Sequence, residues 1–188
     1  MSEFIEYILR FGSLNQQQID FISGKAEIAG LKKNEYLAEA GKMVKQIAFV
    51  LDGIVRICYY DNKGDEITRY FFNENHLLIV PESLTGLPVS EYWQAVTDCR
   101  LIVFSMRDWE EISGTVIGWD SIIQKIMLTN QRENLERRAS LVAEDATTRY
   151  REFLANFPTL ANQIPLSYIA SYLGITQSSL SRIRKNIR

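Results

Sequence analysis

The most constraining feature of this chain is a short stretch near its end, in which Ala170, Gly174, Thr176 and Leu180 follow one another at fixed spacing. Ile169, Ala170 and Leu173 place one apolar face on a first helix, and Ala170 is small where a second helix would cross close to its backbone. Gly174 closes that helix, because the residue there must turn left-handed and only glycine does so without steric cost. Thr176 then starts a second helix as its N-cap, with a hydroxyl able to accept from the amides of the first turn. Leu180 and Ile183 face inward at helical spacing beside Ile175, which leaves Gln177, Ser178, Ser181, Arg182 and Lys185 outward. This pattern predicts a helix-turn-helix.

The outward residues suit a nucleic-acid groove. Gln and Arg pair bidentately with adenine and guanine edges, Ser and Thr hydroxyls reach either, and Lys and Arg neutralise phosphates. From Ile164 onward the chain has basic residues only on the second helix and beyond it, and no acidic residue at all. An ordinary amphipathic hairpin with a solvated basic face needs none of these coincidences. The charge distribution agrees. Net charge is only −2, which argues against a nonspecific polyanion binder, but residues 144–188 hold six Lys/Arg against three Asp/Glu. That leaves fifteen against twenty before them, so the two ends differ in sign, +3 against −5.

A chain of 188 residues with 46% apolar content can bury one good core and a small satellite domain. It has no run of eighteen apolar residues, and Met1-Ser2-Glu3-Phe4 lacks the basic stretch and apolar core of a secretory signal. The expectation is a cytoplasmic protein with no membrane partner. Cys58 and Cys99 each sit in an apolar strand pattern without CxxC spacing, which predicts a buried, reduced pair and neither a zinc nor an iron–sulfur site. No cofactor and no catalytic residue are expected.

Four stretches follow from periodicity. Residues 3 to about 24 read as helical, with Phe4, Ile5, Ile8 and Phe11 on one face and an Asn15/Gln18 capping box before Ile19. Residues 27 to about 106 read as short strands, at 46–50, 54–60, 67–72, 77–80, 92–97 and 101–104, with turns at Asp52-Gly53 and Asn62-Lys63-Gly64-Asp65. Such strands make a sandwich or barrel. Residues 107 to about 143 turn helical: Ile122, Ile123, Ile126 and Met127 form one stripe, while Leu128, Leu135 and Val142 recur every seven residues. That recurrence predicts a parallel helix pair, although Gln131 and Arg138 weaken the seam and a helix lying along its own barrel is the alternative. Residues 144–188 form a small helical domain with Phe153, Leu154 and Phe157 in its core and Pro158 stopping its first helix.

A β-roll, a long helix and a terminal helix-turn-helix, in that order, resemble the catabolite activator and fumarate-nitrate regulator (Crp/Fnr) family of bacterial transcription factors over residues 14–188. The resemblance is carried by Glu39-Ala40-Gly41, Phe49-Val50-Leu51-Asp52-Gly53 and Asn62-Lys63-Gly64-Asp65-Glu66-Ile67 in the roll, and by Thr176-Gln177-Ser178-Ser179-Leu180-Ser181-Arg182 in the reader. It implies an α+β fold: a cyclic-nucleotide-binding-like sensor domain of antiparallel strands with N-terminal helices over 1–117, a dimerisation helix over 118–143 and a DNA-binding domain over 144–188. It also implies a homodimer on double-stranded DNA, with RNA polymerase as a further partner and Thr176, Gln177, Ser178, Ser181, Arg182 and Lys185 at the DNA.

The departures from the family pattern matter as much. In members that bind a cyclic nucleotide, a Gly-Glu segment and a later Arg-Ser or Arg-Thr cradle the ribose and phosphate. Here Glu82 corresponds to the ribose-binding residue, but Pro81 stands in the glycine's place. Ser90 matches the phosphate-binding hydroxyl, while the arginine's place falls on Val89. A buried cyclic phosphate without its guanidinium would be an uncompensated anion. The expectation is a degenerate pocket at Glu82 and Ser90, no control by cyclic AMP, and an unknown small-molecule effector or none. The family's oxygen sensors carry an N-terminal cysteine cluster, yet no cysteine precedes Cys58. Haem sensors need an axial histidine, and the single His76 reads as a structural residue. Many relatives end in a β-hairpin wing that touches phosphate; with the sequence ending at Arg188, the expectation is a wingless reader leaning on Arg182, Arg184, Lys185 and Arg188.

Other classes fit less well. A cupin-type enzyme needs several metal-binding histidines. A signalling module that uses its C-terminal helices for protein contact is the stronger rival, and the acid-free reader argues against it. The expected mechanism is two protomers paired along 118–142, presenting recognition helices to major grooves about 34 Å apart on an imperfect palindrome. A signal on the roll would rotate the readers by changing how the long helix sits.

Overall fold

The computed structural model describes residues 1–187. Two helices come first, α1 (Ser2–Leu9) and α2 (Gln16–Gly24). The capping box is present at α2: Asn15 Oδ1 accepts from the Gln18 amide at 2.9 Å and Gln18 Oε1 accepts from the Asn15 amide at 2.9 Å. Eight strands follow: β1 (Glu27–Leu31), β2 (Tyr36–Ala38), β3 (Gln46–Asp52), β4 (Val55–Tyr60), β5 (Glu66–Phe72), β6 (Leu77–Leu78), β7 (Tyr92–Ala95) and β8 (Cys99–Ser105). They form two four-stranded sheets, ordered β1-β8-β3-β6 and β2-β7-β4-β5. The pairs β1·β8, β3·β8, β3·β6 and β2·β7 are all antiparallel. Consecutive strands therefore alternate between sheets, except that β4 and β5 lie side by side in the second as a hairpin. The last stretch is helical: α3 (Met106–Thr115), α4 (Trp119–Ala143), α5 (Ala146–Asn156), α6 (Leu166–Tyr172) and α7 (Gln177–Asn186).

The chain divides into two compact units. Residues Met1–Arg56 and Phe71–Asn130 form one compact unit; Ile57–Tyr70 and the chain from Gln131 onward form another. The first unit's core joins α1, α2, β3, β8 and the start of α4. Phe4 lies between Phe49 and Phe104, at ring distances of 5.4 and 5.1 Å, and Trp109 meets Trp119 edge-on at 5.2 Å. Ile122, Ile123 and Ile126 bury the first turns of α4 in the same core. Burying side chains of this size contributes roughly 1.5–3 kcal/mol each.

The turn after β3 has no room for a side chain. Gly53 sits at φ +99°, and a Cβ there would lie 2.5 Å from the Asp98 carbonyl oxygen and 2.7 Å from Cys99 Sγ. Cys58 and Cys99 are both buried free thiols, as expected, and burial pushes the Cys99 thiol above its ordinary range. The second turn is held by Asp61, whose Oδ1 accepts from the Lys63 and Asp65 amides at 2.8 and 3.0 Å.

Three local differences from the sequence expectation have physical causes. β1 and β2 lie at sheet edges, carry mixed polar and apolar residues and are largely exposed, so they lack the apolar run that marked their neighbours. β6 ends after Leu78 instead of Val80, because Pro81 opens a 3₁₀ turn over Pro81–Leu84. β7 ends at Ala95 rather than Thr97, where the Val96 amide leaves the ladder to donate to the Ile54 carbonyl at 2.8 Å.

The second unit has its own aromatic core. Phe153 packs against Tyr150, Phe157 and Tyr172, at ring distances of 6.3, 5.4 and 5.5 Å. Phe157 ends α5 just before Pro158, as expected. Arg149 closes the junction of α4 and α5: its Nη1 donates to the Leu141 and Glu144 carbonyls at 3.2 and 2.7 Å, taking up carbonyls that the end of α4 leaves open. Asp145 caps α5 through the Thr147 and Thr148 amides, and those bonds lower its carboxyl below the usual range. Among the described residues no helix is long and apolar enough to cross a membrane.

Candidate nucleic-acid interface

Helix α6 is built to receive α7. Ile169, Ala170 and Leu173 are buried, at 0, 2 and 2% exposure. Gly174 takes φ +66°, and the Ile175 amide donates back to the Ala170 carbonyl at 3.0 Å, so the turn closes as a Schellman motif. Thr176 Oγ1 accepts from the Ser179 amide at 3.2 Å and Leu180 is fully buried. The turn residues are where the sequence placed them.

The six candidate contact residues fall into two groups. Thr176 is the cap itself, and its hydroxyl also lies 3.0 Å from the hydroxyls of both Ser178 and Ser179. Gln177, Ser178, Arg182 and Lys185 are exposed and Ser181 is half-buried, all on α7. Gln177, Arg182 and Lys185 make no side-chain hydrogen bond or ion pair with another described residue. Their donors and acceptors are available to a ligand. No acidic residue lies in the first turn of α7, and Arg184 with Lys185 sits in its last turn, where a helix C-terminus favours cations. Arg188 lies outside the described residues.

In the roll, the two candidate effector residues meet each other. Ser90 Oγ donates to Glu82 Oε1 at 2.9 Å. Val89 is 3% exposed, and its amide and carbonyl pair with Lys42 and Gly41 at 3.0 and 2.8 Å. Sequence reasoning passed over a second polar feature of the roll. Arg56 is only 1% exposed, and its Nε and Nη2 both donate to Gln94 Oε1, at 3.0 and 2.6 Å. Gln94 in turn donates to the Asn34 carbonyl at 3.4 Å. The available clue was a charged residue between Val55 and Ile57 in an otherwise apolar strand. His76 Nδ1 lies 3.2 and 3.1 Å from the Asn73 and Glu74 carbonyls, a turn-closing position.

Residues 30–115 match the family of the cyclic nucleotide-binding domain, which covers most of the roll and α3. The fold extends the likeness to the helices. FixK2 from Bradyrhizobium japonicum is 17% identical, with 86% of this chain and 84% of that one covered at a TM-score of 0.74. A Crp/Fnr-family putative transcriptional regulator from Eubacterium rectale is 17% identical, covering 92% and 83% at 0.72. CLP of Xanthomonas campestris, described as a c-di-GMP-responsive global regulator, is 14% identical, covering 92% and 91% at 0.66. No curated protein matches the chain by sequence. The chain has a Crp/Fnr-like fold: a roll of the cyclic nucleotide-binding type, a long helix and a terminal helix-turn-helix.

Proposed function

We propose that this chain is a sequence-specific DNA-binding transcription regulator that acts as a homodimer on palindromic sites without cyclic AMP. The observation that carries the reading is the outward face of α7, where Gln177, Arg182 and Lys185 stand exposed on a helix held by a buried Leu180, a capping Thr176 and Gly174. Residues 144–188 are the reader, 118–143 the connecting helix and 1–117 the sensor. The exposed Leu128, Leu135 and Val142, at 56, 58 and 91%, support pairing along α4, since apolar residues repeating every seven positions otherwise leave apolar area in water. RNA polymerase is the downstream partner in this reading.

The roll supports independence from cyclic AMP. Glu82 Oε1 accepts the Ser90 hydroxyl, and Val89 stands where a guanidinium would meet the phosphate. CLP, on the same fold, is described as responding to a different nucleotide, so the effector here is another small molecule or none.

The deciding experiment selects genomic DNA fragments with the purified protein at moderate salt, with and without cyclic AMP. The expected result is a palindromic site enriched equally in both, with affinity falling steeply as salt rises, because bound Lys and Arg release counterions. Enrichment of single half-sites would contradict the dimer, and enrichment only with nucleotide would contradict the degenerate pocket. Arg182→Ala should weaken the selected site by about 1–3 kcal/mol and relax preference at one base pair, if its guanidinium reads a base edge. Unchanged affinity and preference in a gel-shift titration would remove Arg182 from the interface.

A further inference from the structure

Strand β5 is the outer strand of its sheet, so one side of its backbone faces no neighbouring strand. Within the second compact unit, one hydroxyl from the reader covers two of those groups. The Thr68 amide donates to Ser171 Oγ at 2.9 Å, and Ser171 Oγ donates onward to the Glu66 carbonyl at 3.5 Å. Ser171 belongs to α6, the helix that carries the turn into α7.

A second contact lies beside the first. The Arg137 guanidinium from α4 stands 4.7 Å from the ring of Tyr172 on α6 and 5.7 Å from the ring of Tyr70 on β5. Tyr70 also donates its hydroxyl to Glu133 at 3.5 Å and meets the Phe157 ring edge-on at 6.5 Å. Arg137 Nε is buried with no hydrogen-bond acceptor among the described residues, so the ring faces compensate part of its lost hydration. Burial keeps Arg137 below the usual arginine range and pushes the Tyr70 and Tyr172 phenols up. A hairpin merely resting on a surface would leave that cation in water.

We propose that the β4–β5 hairpin is a strut of the reader, which opens and closes together with α6 through Ser171 and the Arg137–Tyr70–Tyr172 stack, and whose order is coupled to occupancy of α7. The coupling half rests on the DNA-binding reading above; the strut itself does not. A signal that reorders β4 and β5 then reaches α6 by two contacts, directly at Ser171 and through Arg137 of α4. By linkage, whatever DNA does to the hairpin, the hairpin does to DNA affinity.

Amide hydrogen exchange on the full chain tests this, with wild type, Ser171→Ala, Ser171→Thr and Arg137→Gln compared. In Ser171→Ala the amides of 57–70 and those of α6 should speed up together, by about five- to tenfold, the loss of roughly one net hydrogen bond. Ser171→Thr keeps the hydroxyl and should restore wild-type rates. Faster exchange at Thr68 with α6 unchanged in both Ser171→Ala and Arg137→Gln would overturn the strut. Mixed-sequence duplex DNA at low salt is then added. It should slow exchange across 57–70 in wild type and Ser171→Thr but not in Ser171→Ala. Binding with no slowing of the hairpin would overturn the coupling. Absence of any binding would sink the DNA reading, while the shared opening measured in free protein still decides the strut.

Discussion

Phe153→Ala is expected to cost the second unit about 3–5 kcal/mol, the range for removing a buried aromatic ring whose surroundings relax only in part. Phe153 is 2% exposed and stands at the centre of this unit's aromatic packing, with Tyr150, Phe157 and Tyr172 all within ring contact. Tyr172 is the last residue of α6, so collapse into the vacated space would pull on the helix that seats α7. The loss matters because total stability for a domain is only about 5–15 kcal/mol. Urea titration followed by far-UV circular dichroism reads the effect, and loss of DNA binding should run in parallel. A change below about 1 kcal/mol, the size of an ordinary surface substitution, would mean that the aromatic cluster is not this unit's core.

Gly53→Ala is expected to destabilise the roll by about 3 kcal/mol. Two costs add: a side chain at φ +99° is in a conformation costing on the order of 1–3 kcal/mol, and the new methyl meets backbone. The Asp98 carbonyl oxygen at 2.5 Å cannot swing away as a flexible side chain would, and the neighbouring Cys99 Cα lies at 2.9 Å. Gly64→Ala is the internal control. Gly64 also has positive φ, at +84°, but nothing lies within 4 Å of its Cβ position, so only the conformational cost of about 1 kcal/mol remains. Thermal or urea unfolding followed by fluorescence of Trp93, Trp109 and Trp119, which all belong to the first unit, separates the two variants. Equal losses would show that the Asp98 contact relaxes freely.

The helix-turn-helix was legible because its determinants are local. The turn at Gly174, the cap at Thr176 and the small Ala170 act over a few residues, and each has one physical job that few residue types perform. The same holds for the Asn15/Gln18 capping box and for the hairpin turn around Asp61 and Gly64. Buried strands announced themselves as apolar runs, which is why β3, β4 and β8 stood out and the exposed edge strands β1 and β2 did not. The long helix carried two messages in one segment. Its first turns, through Ile126, are buried, while Leu128, Leu135 and Val142 are exposed, so one helix carries both a core stripe and an uncovered apolar one.

What sequence determined by itself is the set of parts: a roll of short strands, a long helix and a helix-turn-helix whose outer face is basic and acid-free. Propensity, turn chemistry and hydrophobic period are properties of neighbouring residues, and they survive without knowledge of the rest of the chain. Only the tertiary structure decided which distant residues meet. Gln94 approaches Arg56 from 38 residues away, Ser90 closes on Glu82, and Ser171 reaches Thr68 across 103 residues. Such pairs leave no periodic trace, because a hydrogen bond between separate elements depends on strand order and on which strand is left at the edge of its sheet. That order is settled by the packing of all the strands at once.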